Sequence, residues 1–165
     1  MIVKKALEKD AEKIVSINIE TWNKTYNGIF SKNVLEDLYN KKQESIKKCK
    51  QNIKEYVVCK DNNEIIGFAR YGKNKKSYPE DYAEIYALYV KEEYQNKYAG
   101  TCMINYIKEK LKKEYNYLLI STLKENNANL FYQKQGGIKI DETVFKLENS
   151  EYIENLYKFD LKKES

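Results

Sequence analysis

Gln95-Asn96-Lys97-Tyr98-Ala99-Gly100-Thr101 is the stretch of this chain whose residue types and placing can do chemistry. It joins an apolar run ending at Val90 to an amphipathic run starting at Ala99, which reads as strand, loop and helix. The first N–H groups of a helix have no partner inside it, and the helix dipole adds a partial positive charge. A phosphate or pyrophosphate is held at such a point, and Lys97 would add a full charge. An ordinary strand-to-helix connection accounts for the same pattern.

The chain has 165 residues and no histidine. That removes the usual near-neutral base, His-containing triads and His-ligated metals. General acid or base work falls to Glu, Asp, Tyr, Cys or Lys. Cys49, Cys59 and Cys102 are far apart with no CxxC pair, so no disulfide framework or metal site is expected. The net charge of +5 is spread along the chain, and its densest run, Lys41 to Lys50, reads as a solvated helix face. No nucleic-acid partner is expected from it. No apolar run reaches the roughly 20 residues of a membrane span and no signal-peptide pattern opens the chain, so a cytoplasmic location is expected.

The elements that must position these residues follow from periodicity. A strand is predicted over Ile2–Ala6, then a helix capped by Asp10 with Ile14, Ile17 and Trp22 on its apolar side. Tyr26-Asn27-Gly28 ends it, and Ser31 caps a second helix carrying Val34, Leu35, Leu38, Tyr39 and Ile46. Tyr56–Lys60 and Ile65–Tyr71 are short β-rich runs whose spacing around Asp61-Asn62-Asn63 reads as an antiparallel hairpin. A charged loop, Lys73–Asp81, leads to the strand Ala83–Val90. A helix is predicted over Ala99–Lys113, a strand over Tyr117–Leu123, and a short helix over Asn126–Lys134 stopped by Gly136-Gly137. Two closing strands, Ile138–Leu147 and Tyr152–Leu161, turn at Glu148-Asn149-Ser150. The order β-α-α-β-β-β-α-β-α-β-β is an α/β arrangement on a mixed, mainly antiparallel sheet flanked by helices. One domain over 1–165 is expected.

Three of these features resemble the GCN5-related N-acetyltransferase (GNAT) family. Gln95 to Gly100 is similar to its pyrophosphate loop, Gln/Arg-x-x-Gly-x-Gly/Ala. Ile85-Tyr86-Ala87-Leu88-Tyr89-Val90 is similar to its central strand. Glu125 through Gly137 resembles its second signature, an Asn-x-Ala block followed by Phe131-Tyr132 and a glycine-terminated helix. The resemblance covers Tyr56–Ile138 and extends more loosely to Trp22, Tyr26, Gly28 and Leu35. One residue departs: the loop's first glycine is Tyr98 here, where a main-chain N–H still reaches a phosphate if φ stays negative.

The resemblance implies acetyl-CoA as co-substrate, no metal, and transfer of the acetyl group to a primary amine of a small molecule or peptide. Carried over residue by residue, Leu88, Tyr89 and Val90 would offer main-chain groups to the pantetheine arm. Gln95, Asn96, Lys97, Tyr98, Ala99, Gly100 and Thr101 would surround the pyrophosphate, and Asn126 would touch the cofactor. Tyr132 would protonate the leaving thiolate. Glu84 is the first choice of base for the acceptor amine, with Glu80 and Asp81 as alternatives. Trp22 and Tyr26, four apart on one helix, would wall the acceptor site, where aromatic rings suit a cation. A non-catalytic acyl-CoA-binding sensor is the rival reading. The closing strands offer an edge for a homodimer.

Overall fold

The computed structural model describes residues 1–163. Its strands are β1 (Ile2–Lys5), β2 (Tyr56–Asp61), β3 (Glu64–Lys73), β4 (Tyr82–Val90), β5 (Tyr117–Leu123), β6 (Ile138–Leu147) and β7 (Ser150–Asp160). The helices are α1 (Ala11–Thr25), α2 (Lys32–Asn40), α3 (Lys42–Gln51), α4 (Ala99–Leu111) and α5 (Ala128–Lys134). The strands form one seven-stranded sheet in the order β1-β2-β3-β4-β5-β7-β6. β1–β2, β2–β3, β5–β7 and β6–β7 pair antiparallel, while β4 and β5 run parallel. This is the mixed, mainly antiparallel α/β sheet expected from the sequence. No helix among the described residues is long and apolar enough to cross a membrane.

The chain divides into two compact units: Met1–Arg70 with Ala87–Tyr106, and Tyr71–Tyr86 with the chain from Ile107 onward. In the first, α1 and α3 lay Ile14, Ile17, Ile46 and Cys49 on Val58, Ile65 and Phe68 of the β2–β3 hairpin. Tyr89 of β4 packs against this core, with its ring 5.8 Å from that of Phe68. Burying each such aliphatic side chain is worth about 1.5–3 kcal/mol. Asn62 and Asn63 turn the hairpin with φ of 48° and 66°, the left-handed pair that a two-residue turn between twisted strands needs.

Two local expectations are corrected. Asp10 does not cap α1: its carboxylate turns back to accept the Leu7 N–H at 2.8 Å, and a single 3₁₀ turn (Glu8–Asp10) precedes the helix. The second helix divides at Lys41 into α2 and α3. Ser31 caps α2 as expected, its hydroxyl accepting the Val34 N–H at 3.2 Å. α2 buries only Leu35 and α3 buries Ile46 and Cys49, so the break lets two short apolar faces each find the core.

In the second unit Leu118 and Ile120 of β5 face Phe159 and Tyr157 of β7, all but excluded from solvent. β6 is the outermost strand of the sheet order. Ile138 and Val144 on it, and Ile153 paired opposite Val144, are well exposed. Lys139 and Lys124 both hold Glu142 on the same strand, at 2.5 and 3.3 Å. The three cysteines are free; burial pushes the Cys59 thiol up to about 11, which makes it a poor nucleophile.

Candidate functional site

The loop singled out from the sequence lies in the first unit, between β4 and α4. β4 arrives against β3 at a point where only glycine fits. A Cβ on Gly67 would lie 2.9 Å from the Tyr89 carbonyl oxygen, 3.2 Å from Met103 Cε and 3.3 Å from Val90 Cγ2. The Lys91 N–H then donates to the Ile66 carbonyl at 2.9 Å, and its ammonium meets Glu64 at 2.9 Å. A 3₁₀ turn, Glu92–Tyr94, follows.

Gln95 closes this turn upon itself. Its N–H donates to the Glu92 carbonyl at 3.1 Å and its side-chain amide to the Val90 carbonyl at 3.0 Å. Two groups expected to meet the cofactor, the Gln95 amide and the Val90 C=O, are therefore already joined. Asn96 and Tyr98 both have positive φ, 61° and 70°, while Lys97 between them does not. Tyr98 therefore does not meet the condition, a negative φ, under which its N–H would still reach a phosphate. The Tyr98 carbonyl accepts the Cys102 N–H at 2.9 Å as the first hydrogen bond of α4. With Gln95 fixing one end and this bond the other, the tyrosine takes up the backbone that a glycine would occupy. Its side chain is 77% exposed, so no packing compensates the strain.

This geometry suits an anion of the diphosphate kind. Alternation of left-handed residues before a helix turns successive N–H groups to one side, and Ala99, Gly100 and Thr101 supply the first turn of α4. The Lys97 ammonium lies 5.7 Å from the centre of the Tyr94 ring. The neighbouring Glu92 carboxylate is drawn to Lys24 at 3.2 Å, which also meets Glu20 at 3.2 Å. The hydrogen bonds that its ammonium donates, that to Glu92 foremost, hold the Lys24 pKa above its ordinary value.

On the same unit Trp22 and Tyr26 join Phe30, a third ring that the sequence reading missed. The centroids lie 5.0 Å apart for Trp22–Tyr26, 5.4 Å for Trp22–Phe30 and 4.6 Å for Tyr26–Phe30. The turn at Asn27-Gly28, with Gly28 at φ 85°, folds Phe30 back on the helix end. Trp22 Nε1 is buried without a hydrogen-bond partner among the described residues. A cavity of about 580 Å³ opens between α1 and α2, lined by Glu20 and Asn23 on one side and Glu36 and Tyr39 on the other. Trp22 and Tyr26 are not among its lining residues.

The second unit carries Glu84, Asn126 and Tyr132. Glu84 is 7% exposed. One of its oxygens accepts the Lys75 N–H at 2.9 Å and the other faces the Lys76 ammonium at 3.4 Å. Of the alternatives, Asp81 receives the Asn116 side-chain amide at 2.9 Å and so closes the loop before β4; Glu80 is exposed. The sequence reading missed Glu154, half-buried on β7 opposite Leu123. Burial raises its pKa, the Glu84 charge adds to this, and Lys76 partly offsets it. Its signal was alternation: Glu154 shares a strand face with the fully buried Leu156.

Tyr132 is 5% exposed, its ring packed on Phe131 and, at 6.0 Å, on Tyr157. α5 stops as expected. Gly136 adopts φ 94°, and the N–H groups of Gly136 and Gly137 donate to Gln133 and Tyr132 at 3.0 and 2.9 Å. This is the six-to-one, five-to-two pattern of a Schellman stop. A Cβ on Gly137 would come within 2.8 Å of the Tyr132 carbonyl, so glycine is needed there too. The Asn126 side-chain oxygen accepts the Ala128 N–H at 2.9 Å and starts the helix.

The family model of the Acetyltransferase (GNAT) family matches residues 4–137. A relative named uncharacterized N-acetyltransferase YuaI, from Bacillus subtilis, is 24% identical over 146 residues, 88% of this chain and 84% of that protein. Among solved structures, the PaiA N-acetyltransferase of Thermoplasma acidophilum in complex with coenzyme A superposes with a TM-score of 0.72 at 21% identity, covering 96% of this chain and 98% of that one. Salmonella typhimurium yncA with its cofactor acetyl-CoA does so at 0.73 and 14% identity, covering 100% and 96%. At these identities the superpositions establish the fold, and the family match over most of the chain establishes membership: this protein belongs to the GNAT acetyltransferase family.

Proposed function

We propose that the protein transfers the acetyl group of acetyl-CoA to a primary amine of a small molecule or peptide, by direct attack of the amine. The observation that carries the reading is the loop Gln95–Thr101: two left-handed residues, a lysine and the start of α4, in a chain of this family. The N–H groups of Ala99, Gly100 and Thr101, with the Lys97 ammonium, would hold the pyrophosphate. Main-chain groups of Leu88, Tyr89 and Val90 would align the pantetheine arm, and Asn126 would touch the cofactor. When bound, acetyl-CoA supplies an activated thioester as acetyl donor.

An aliphatic ammonium has a pKa near about 10, so the acceptor must lose a proton before it attacks. Glu84 is the proposed proton acceptor, with Lys75 and Lys76 fixing its carboxylate. Tyr132 is the proposed donor to the departing sulfur; a short helix stopped by two glycines sets its place on the backbone. Trp22 and Tyr26 remain the proposed acceptor wall, now with Phe30.

Calorimetric titration of acetyl-CoA, followed by thiol release over a panel of a polyamine, an aminoglycoside, amino acids and a peptide with a free N-terminus, tests the reading. Micromolar binding with saturable turnover on one amine supports it, and absence of binding overturns it. A non-catalytic acyl-CoA sensor is the second reading, favoured by the strained tyrosine in the loop. Binding without turnover on any amine would select it.

A further inference from the structure

Asn129 has no place in the roles above, yet its side chain makes five hydrogen bonds. It lies in the first turn of α5, three residues before Tyr132. Its amide nitrogen donates to the carbonyls of Leu123 at 2.9 Å, Lys124 at 3.2 Å and Asn126 at 2.6 Å. Its oxygen accepts from Asn155 Nδ2 at 2.9 Å and from the Tyr157 hydroxyl at 2.8 Å. Two amide hydrogens are thus divided among three acceptors, and both lone pairs are used. Three carbonyls on one side fix the amide's orientation, because a carbonyl only accepts.

The connections join the end of β5, the loop before α5 and strand β7. A helix of seven residues does not hold itself in water, so ties at its two ends decide where it points. The C-terminal tie is the glycine stop. At the N-terminal end no side chain of the capping residue Asn127 bonds to the helix, and Asn129 with Asn126 makes the connection. Tyr157, which donates to Asn129, also places its ring against Tyr132. Asn155 Oδ1 is left buried with no partner among the described residues, an arrangement that costs free energy.

We infer that Asn129 is a positioning residue for Tyr132, fixing α5 to β5 and β7 so that the tyrosine hydroxyl is held for proton donation. The inference rests on the proposed role of Tyr132. It assigns Asn129 no contact with substrate; the residue acts through the helix it anchors and through the Tyr157 ring.

Asn129→Asp keeps the shape and the two accepting interactions but can no longer donate to the three carbonyls. With the best acceptor of the amine panel, kcat is expected to fall about 10- to 100-fold, the range that small misplacements of a reacting group produce. The same substitution on a Tyr132→Phe background should change kcat by less than about twofold, because the group it positions is gone. A merely structural role would give the same loss in both backgrounds, which overturns the inference. Tyr157→Phe removes one of the two hydrogen bonds that Asn129 Oδ1 accepts, together with the long one, 3.5 Å, that the hydroxyl accepts from Gln133 on α5; it should show the same coupling at smaller amplitude, and it carries the test if Asn129→Asp does not fold.

A second readout needs no substrate. Amide hydrogen exchange in α5 should quicken by about tenfold or more in Asn129→Asp while β5 and β7 keep their protection; unchanged exchange in α5 overturns the inference. Tyr132→Phe at full kcat would instead overturn the acid assignment and this inference with it. A crippled Tyr132→Phe enzyme whose losses multiply with those of Asn129→Asp overturns the inference alone.

Discussion

Replacing Tyr98 by glycine should make the protein more stable, although it removes the larger side chain. An L-residue in the left-handed region costs roughly 1–2 kcal/mol, and Tyr98 sits there at φ 70°. Glycine relieves that strain but adds freedom to the unfolded chain, worth about 0.5–1 kcal/mol in the other direction. The ring is 77% exposed, so little apolar burial is lost with it. The balance is a gain of about 0.5–1 kcal/mol, or about 1–4 °C in Tm for a chain of this length. Urea denaturation followed by circular dichroism would read it as a higher midpoint at unchanged slope. Tyr98→Ala serves as the control: it also removes the ring but keeps a Cβ, so its stability should stay near that of the native protein. A midpoint lowered by Tyr98→Gly, or raised equally by both variants, would refute the reasoning. The first would mean that the tyrosine backbone is not strained in solution, and the second that the ring itself was the burden.

Gly67→Ala presses a methyl group on the Tyr89 carbonyl and should destabilise by about 1–3 kcal/mol, read by the same denaturation; it should also weaken acetyl-CoA in calorimetry, because the backbone it displaces is that of β4. Glu84→Gln should lower kcat by about 10²-fold or more with the acetyl-CoA Kd little changed, and full activity would remove Glu84 from the proposed role. Glu154 titrates higher folded than unfolded, so its ionisation destabilises the fold as pH rises through its raised pKa. Glu154→Gln should therefore raise Tm at pH 7, and the gain should fade as pH falls toward the ordinary carboxylate value near about 4. A gain that is constant with pH would show that burial of Glu154 is not the cause.

Much of this was legible from local pattern. Asn62-Asn63 announced its hairpin because two left-handed residues are needed there and asparagine tolerates them. Gly136-Gly137 announced the end of α5, and the short apolar run Tyr117–Leu123 gave β5 to the residue. What escaped was decided at long range. Asp10 has the right chemistry for a cap, but the Leu7 N–H competes for its carboxylate. Ser31 through Ile46 keeps a helical period across Lys41, so only the packing of two separate faces reveals the break. Tyr98 could not be read as left-handed from its type, since the bonds that force it involve Gln95 and Cys102. Asn129 looked like one more polar residue at a helix start until β7 brought Asn155 and Tyr157 beside it.

The outermost strand has a consequence for handling the protein at the bench. β6 ends the sheet with ten residues and an exposed Val144–Ile153 pair, a ready template for another copy to line up against. Charges blunt that edge: Lys139, Asp141, Glu142 and Lys146 interrupt the apolar positions along the same strand. Salt screens charge and leaves apolar attraction in place, so concentrated stocks should be kept at low ionic strength. Val144→Lys is the substitution that would put a further gatekeeper into that edge.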